Sequence, residues 1–141
     1  MGLTSLSLLR TLLMLEVFFI FIGGGLGALL RYGLSCTLNP LVISTSIEGI
    51  PLGTLVANWS GSLILGVLMG AFPVSTPLKL ALTTGLMGGL TTFSTFSAEG
   101  ALLFSQGTAL KSCLHISLHV GGGLLLAMLG LSLGLSYAKG G

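Results

Sequence analysis

Four long apolar runs, near Leu12 to Ser35, Leu52 to Phe72, Leu78 to Phe104 and Ser112 to Tyr137, alternate with short links. A helix needs roughly 20 residues to cross the hydrocarbon of a bilayer. The pattern therefore predicts an all-α integral membrane protein with four transmembrane helices, folded as one domain over residues 1–141. The links are short, so consecutive helices are expected to run antiparallel in a compact bundle. The first run continues through Gly23-Gly24-Gly25 to Leu30 and is longer than the apolar part of a signal peptide, so it is read as a retained span.

The third run contains a discontinuity. Gly88-Gly89 precedes Thr91-Thr92-Phe93-Ser94-Thr95-Phe96-Ser97, a polar, aromatic-studded stretch inside an otherwise apolar segment. Backbone that leaves helical geometry inside a membrane must find internal partners or line a polar cavity. An interrupted third helix is therefore expected, and the interruption is the first place to look for function. Small residues recur every four positions: Gly23 and Gly27, then Ser62, Gly66 and Gly70, then Gly85 and Gly89, and finally Gly130 and Gly134. Such stripes let membrane helices pack backbone to backbone.

Composition narrows the class. Hydrophobic residues make up 52% of the chain and charged residues 6%, with a mean hydropathy of +1.08; a soluble domain carries about 25% charge. Lys and Arg in short loops normally stay cytoplasmic, but here the two sides nearly tie. Arg10, Lys79 and Lys139 face Arg31 and Lys111 across the predicted bundle. So weak a bias allows insertion both ways and an antiparallel, dual-topology dimer. Cys36 and Cys113 fall on the same predicted side; they are read as small packing residues with no assigned role. The link holding Asn39-Pro40, Glu48 and Gly49 is expected to be an exposed turn.

Several constellations can carry chemistry. Thr54, Asn58 and Ser62 lie on one face of the second span, where Asn58 either bonds a neighbouring helix or lines a pore. Trp59 beside it points elsewhere, as a lipid or core contact. Phe93 and Phe96 share a face, with Thr92 and Thr95 as a neighbouring pair. They are either ordinary core aromatics or rings whose positive edges favour a small anion, helped by hydroxyl and amide hydrogens of Ser94, Thr95 and Asn58. The break frees carbonyl oxygens near Gly88 and Thr91, which suit a hard cation such as Na⁺. Arg31 and Glu99, at the ends of their spans, read as interfacial residues or as parts of a vestibule, where Arg31 would concentrate anions. Glu16 reads as interfacial. His115 and His119 lie at i, i+4 in the fourth span, but no carboxylate or cysteine in that helix completes a metal site, so a polar path or an interhelix bond is the preferred reading. No nucleophile with its base, phosphate loop or nucleic-acid patch is present; neither an enzyme nor a nucleic-acid partner is expected.

At these residues the chain resembles the CrcB/Fluc family of fluoride channels. The segments that carry the resemblance are GGGLGALLRY (Gly23 to Tyr32), PLGTLVANWSGSLILG (Pro51 to Gly66) and TTGLMGGLTTFSTFSAE (Thr83 to Glu99). The resemblance implies an antiparallel homodimer in a bacterial inner membrane that passes F⁻ down its gradient. It also implies a central structural Na⁺ held by main-chain carbonyls of Gly88 and Thr91. Pore-lining roles fall to Asn58, Phe93, Phe96, Thr92, Ser94 and Thr95, with Arg31 and Glu99 at the vestibule. Aligned on Gly123 and Gly130, His115 and His119 stand where the family usually has a hydroxyl or amide and a serine, which predicts conduction that depends on pH. The competing readings are a small dual-topology proton-coupled cation exporter, which needs a carboxylate well inside the membrane, and a non-transporting subunit of a larger complex.

Overall fold

The computed structural model describes residues 2–42, 49–72 and 76–140; the expected turn at Glu48 lies outside the described residues. All the regular elements among them are helical. Helix α1 spans Gly2–Leu38 and α2 spans Leu52–Ala71. Helix α3 covers 77–90, α4 covers Phe93–Ser105, and α5 covers Ala109–Gly140. Three segments are long and apolar enough to cross a membrane, Ser7–Leu41, which takes in most of α1, Leu52–Ala71, which is α2, and Ala109–Gly140, which is α5. The third apolar run is divided between α3 and α4, and α4, at 13 residues, is too short to cross alone.

Local chemistry sets the ends of these pieces. α1 closes into a short 3-10 turn, Asn39–Val42, containing Pro40, and the Asn39 side chain accepts a hydrogen bond from the Gly53 amide at 2.8 Å, tying the start of α2 to the end of α1. α3 opens with Thr76 accepting from the Lys79 amide and with Pro77 in the first turn, where a missing N–H costs nothing. α4 opens with Thr92, whose hydroxyl accepts from the Thr95 amide at 3.2 Å. It closes at Gly107, whose φ of 73° only glycine adopts freely. The Gly107 amide bonds the Phe104 carbonyl and the Thr108 amide bonds the Leu103 carbonyl, the paired pattern that ends a helix sharply. α3 and α5 each contain a widened turn of the π type, at Ala81–Met87 and Leu118–Gly122.

Two glycine seams join the helices in pairs. On the α1–α3 seam, a Cβ at Gly23 would strike the Ala81 carbonyl, and one at Gly27 the Leu86 carbonyl; from the other side, Gly85 meets the Ile20 carbonyl and Gly89 that of Gly24. The α2–α5 seam repeats the device, with Gly66 against Ala127, Gly70 against Leu131, Gly130 against Leu63 and Gly134 against Val67. Lipid tails are as apolar as leucine, so close backbone approach has to supply the packing energy. Between the seams, Ala57, Met87 and Leu90 form a small buried cluster flanked by Leu34, Leu65, Leu68 and Leu86. The outer face of α1 shows Met14, Phe18 and Phe21, a surface suited to hydrocarbon.

The seams predict a sharp contrast between glycines. Gly130→Val should destabilise the protein by at least the 1–3 kcal/mol typical of overpacking, seen as a lowered thermal midpoint and loss of a monodisperse peak in detergent. Gly33→Ala, with nothing within 4 Å of its added carbon, should leave both unchanged.

Candidate functional site

The polar stripe of α2 faces the break between α3 and α4. Thr91 and Thr92 are extended, with ψ of 152° and 115°, so the helical ladder stops there and its donors must turn elsewhere. The Thr92 amide donates to Asn58 Oδ1 at 2.7 Å, and Asn58 Nδ2 donates to the Thr92 carbonyl at 3.2 Å. A side-chain amide carries the same donor and acceptor as a peptide group, so Asn58 replaces the missing ladder partner on both sides of Thr92. Of the alternatives raised for Asn58, the bond to a neighbouring element is observed, and the residue also lines a groove.

That groove encloses about 320 Å³ and is lined by Asn58, Ser62, Thr92, Phe93, Phe96 and His119, among others. The Phe93 and Phe96 rings lie 5.5 Å apart, tilted by 60°. Phe96 is buried, whereas Phe93 is 78% exposed in the single chain. The Thr92 hydroxyl donates to Thr95 Oγ1 at 3.0 Å and lies 3.3 Å from Ser94 Oγ, making a short hydroxyl cluster at the start of α4.

The break also frees carbonyl groups. In an unbroken helix the carbonyls of residues 88–91 would receive the N–H groups of residues 92–95, and the break interrupts that series. The Thr92 and Thr95 donors are instead used by Asn58 and by the Thr92 hydroxyl. The two main-chain oxygens nominated for Na⁺, those of Gly88 and Thr91, are among the freed ones, and carbonyl oxygen is the right donor type for a hard cation. Gly88 is exposed in the single chain. Between them in sequence, the Gly89 carbonyl accepts from Arg31 Nε at 3.2 Å. α1 continues past Arg31 to Leu38, so Arg31 sits within the helix and braces the break.

Glu99 is turned inward. Its Oε1 accepts from the buried Thr54 hydroxyl at 2.6 Å, and its Oε2 lies 3.8 Å from His115 Nε2. His115 is fully buried and His119 nearly so. Both stack around Phe96, at centroid distances of 5.4 and 4.7 Å, and lie 4.3 Å from each other. The carboxylate that α5 lacks is supplied across the bundle by α4. Sequence reasoning missed this pairing, as it missed the Ser112 hydroxyl donating to the Gly100 carbonyl at 2.8 Å. Trp59 is a core contact: its indole donates to the Leu118 carbonyl at 2.9 Å, at the start of the widened turn in α5. Both cysteines are free and exposed.

Residues 18–131 match the family described as CrcB-like protein, Camphor Resistance (CrcB). A protein of Aromatoleum aromaticum named fluoride-specific ion channel FluC is 48% identical over 112 residues, covering 77% of this chain and 82% of its own. Proteins of the same name from Xanthomonas oryzae pv. oryzae and Pseudomonas putida are 45% and 44% identical, over 82% and 79% of this chain and 86% and 87% of theirs.

The inward position of Glu99 predicts that Thr54→Val, which keeps the volume but removes the hydroxyl, costs about 1–3 kcal/mol by leaving a buried carboxylate oxygen without its donor. Thermal unfolding in detergent should show the loss, and Thr54→Ser should restore it.

Proposed function

The chain belongs to the CrcB-like protein family, and from that premise we propose that it is a fluoride-selective channel of the bacterial inner membrane, lowering intracellular fluoride by passive export. The observation that carries the reading is the groove beside the break, which brings a bridging asparagine, two tilted phenylalanines and a hydroxyl cluster to one place. A small, strongly hydrated anion enters such a groove only if its lost water is replaced. The positive edges of Phe93 and Phe96 and the hydroxyl hydrogens of Ser94 and Thr95 are the replacements. The Asn58 amide spends its oxygen and one N–H on Thr92, which holds the wall in place and leaves its second N–H as a further donor to the groove. Arg31, fixed on the Gly89 carbonyl, contributes positive charge near the break.

The working unit in this reading is an antiparallel homodimer in which α3 and α4 together form a fourth, interrupted span. Three features favour it: the near-tied charge of the two sides, the exposure of Phe93, and the exposure of Gly88 beside a freed carbonyl. Each copy brings the Gly88 and Thr91 carbonyls to the centre, and a Na⁺ held there supplies fixed charge that satisfies them and ties the two breaks together. The proton-coupled exporter is not favoured, because the relatives compared above are named as channels.

Liposomes holding only this purified protein should release F⁻ rapidly and Cl⁻ little, as read by ion-selective electrodes. No F⁻ release from folded dimer would contradict the channel reading. Phe93→Ile and Phe96→Ile should each slow F⁻ release by about 2- to 10-fold, the equivalent of the 0.5–1.5 kcal/mol an aromatic contact contributes.

A further inference from the structure

We infer that Glu99, His115 and His119 form a binding site for a divalent transition-metal ion of the Zn²⁺ class, set against the groove. The argument starts from which ring nitrogens carry hydrogen. A carbonyl oxygen only accepts, so the His115 Nε2 facing the Phe96 carbonyl at 3.1 Å bears the N–H, as does the His119 Nδ1 facing the His115 carbonyl at 3.0 Å. In the neutral rings the remaining nitrogens, His115 Nδ1 and His119 Nε2, therefore carry lone pairs. Neither has a hydrogen-bond partner among the described residues, nor has Glu99 Oε2, and all three atoms are buried. Both ring N–H groups are spent on backbone carbonyls, so three buried acceptor atoms face one another with no donor left for them.

Such a cluster calls for a cation. One shared proton joins only two acceptors, and only within about 3 Å. A proton on any one of the three would still leave an acceptor orphaned, and the His115 N–H, already given to the Phe96 carbonyl, lies 3.8 Å from Glu99 Oε2, too far to bond it as well. A metal ion at the centre satisfies all three at once. One ligand atom from each residue lies within 4.8 Å of those of the other two. Tetrahedral Zn²⁺ with bonds near 2.0–2.1 Å places its ligands about 3.3–3.5 Å apart, so the three side chains must draw together to close the site. Two imidazoles and a carboxylate are the ligand set this class of ion prefers, and a helical i, i+4 histidine pair presents both rings on one face. The backbone carbonyls that hold the other ring nitrogens play the usual orienting part for metal-bound histidine. His119 lines the groove, so the fourth position opens toward it, and an ion seated there would obstruct the path beside Phe96.

That block rests on the channel reading above; the binding site does not. The test is a titration of untagged, purified protein with Co²⁺ alone, followed by its ligand-field absorption, and then displacement by Zn²⁺. One ion per chain is expected, with the spectrum retained when Cys36 and Cys113 are both changed to Ser. His119→Gln should weaken binding by more than about 100-fold, beyond the 10- to 100-fold typical of losing a supporting partner. Glu99→Gln, which keeps an oxygen for Thr54, is the second variant should His119→Gln fail to fold. Absence of a Co²⁺ spectrum, a spectrum lost with the cysteines, or affinity unchanged in the variants would overturn the site. Zn²⁺ should also slow F⁻ efflux in the wild type; a protein that binds Co²⁺ but passes no F⁻ would refute the channel reading and leave the metal site standing.

Discussion

A peptide N–H inside a membrane has no water to turn to, and at Thr92 it turns to Asn58. The two hydrogen bonds between the Asn58 amide and the Thr92 backbone are what allow α3 to stop and α4 to begin with both polar groups of Thr92 satisfied. Much of the site depends on that substitution. Because the Thr92 N–H is spent on Asn58, the Gly88 carbonyl is released; because the Thr92 hydroxyl caps α4, the Thr91 carbonyl is released too. The same cap sets where α4 starts, and therefore where Phe93 and Phe96 stand relative to the groove.

The glycine seams make this arrangement rigid enough to matter. α1 lies against α3 and α2 against α5 at backbone contact, so the two seams grip the break from either side. Arg31 adds a direct tie from α1 to the Gly89 carbonyl. The break is thereby bonded from α1 at Gly89 and from α2 at Thr92. A break braced in this way is preorganised, and a small anion that must trade its water for fixed groups gains most from such a wall.

Much of this was legible in the chain, for reasons that can be named. The four-residue glycine stripes are periodic signals, and the seams appear where those stripes lie. The Gly88-Gly89 pair followed by hydroxyls marked the break because polar backbone in hydrocarbon has few explanations. Contacts between distant segments carried no such signal. Glu99 looked like an end-of-span residue, since linear position shows only its distance along the chain; its hydrogen bond to Thr54 and its approach to His115 come from the way α4 packs on α2 and α5. The histidine pair was readable as a pair, but its third member lay on another helix. The boundaries shifted for a related reason: α1 runs past Arg31 to Leu38 because nothing in its local sequence stops it before Pro40.

The central claim is that the Asn58 bridge builds the wall along which fluoride moves. Fluoride efflux from liposomes carrying Asn58→Leu, with the protein shown to be folded and of wild-type size, tests it most directly. Leu has nearly the same volume but can neither accept from the Thr92 amide nor donate to its carbonyl, so efflux should fall to the level of protein-free liposomes. Efflux at the wild-type rate would contradict the account, since the break would then hold its shape without the bridge.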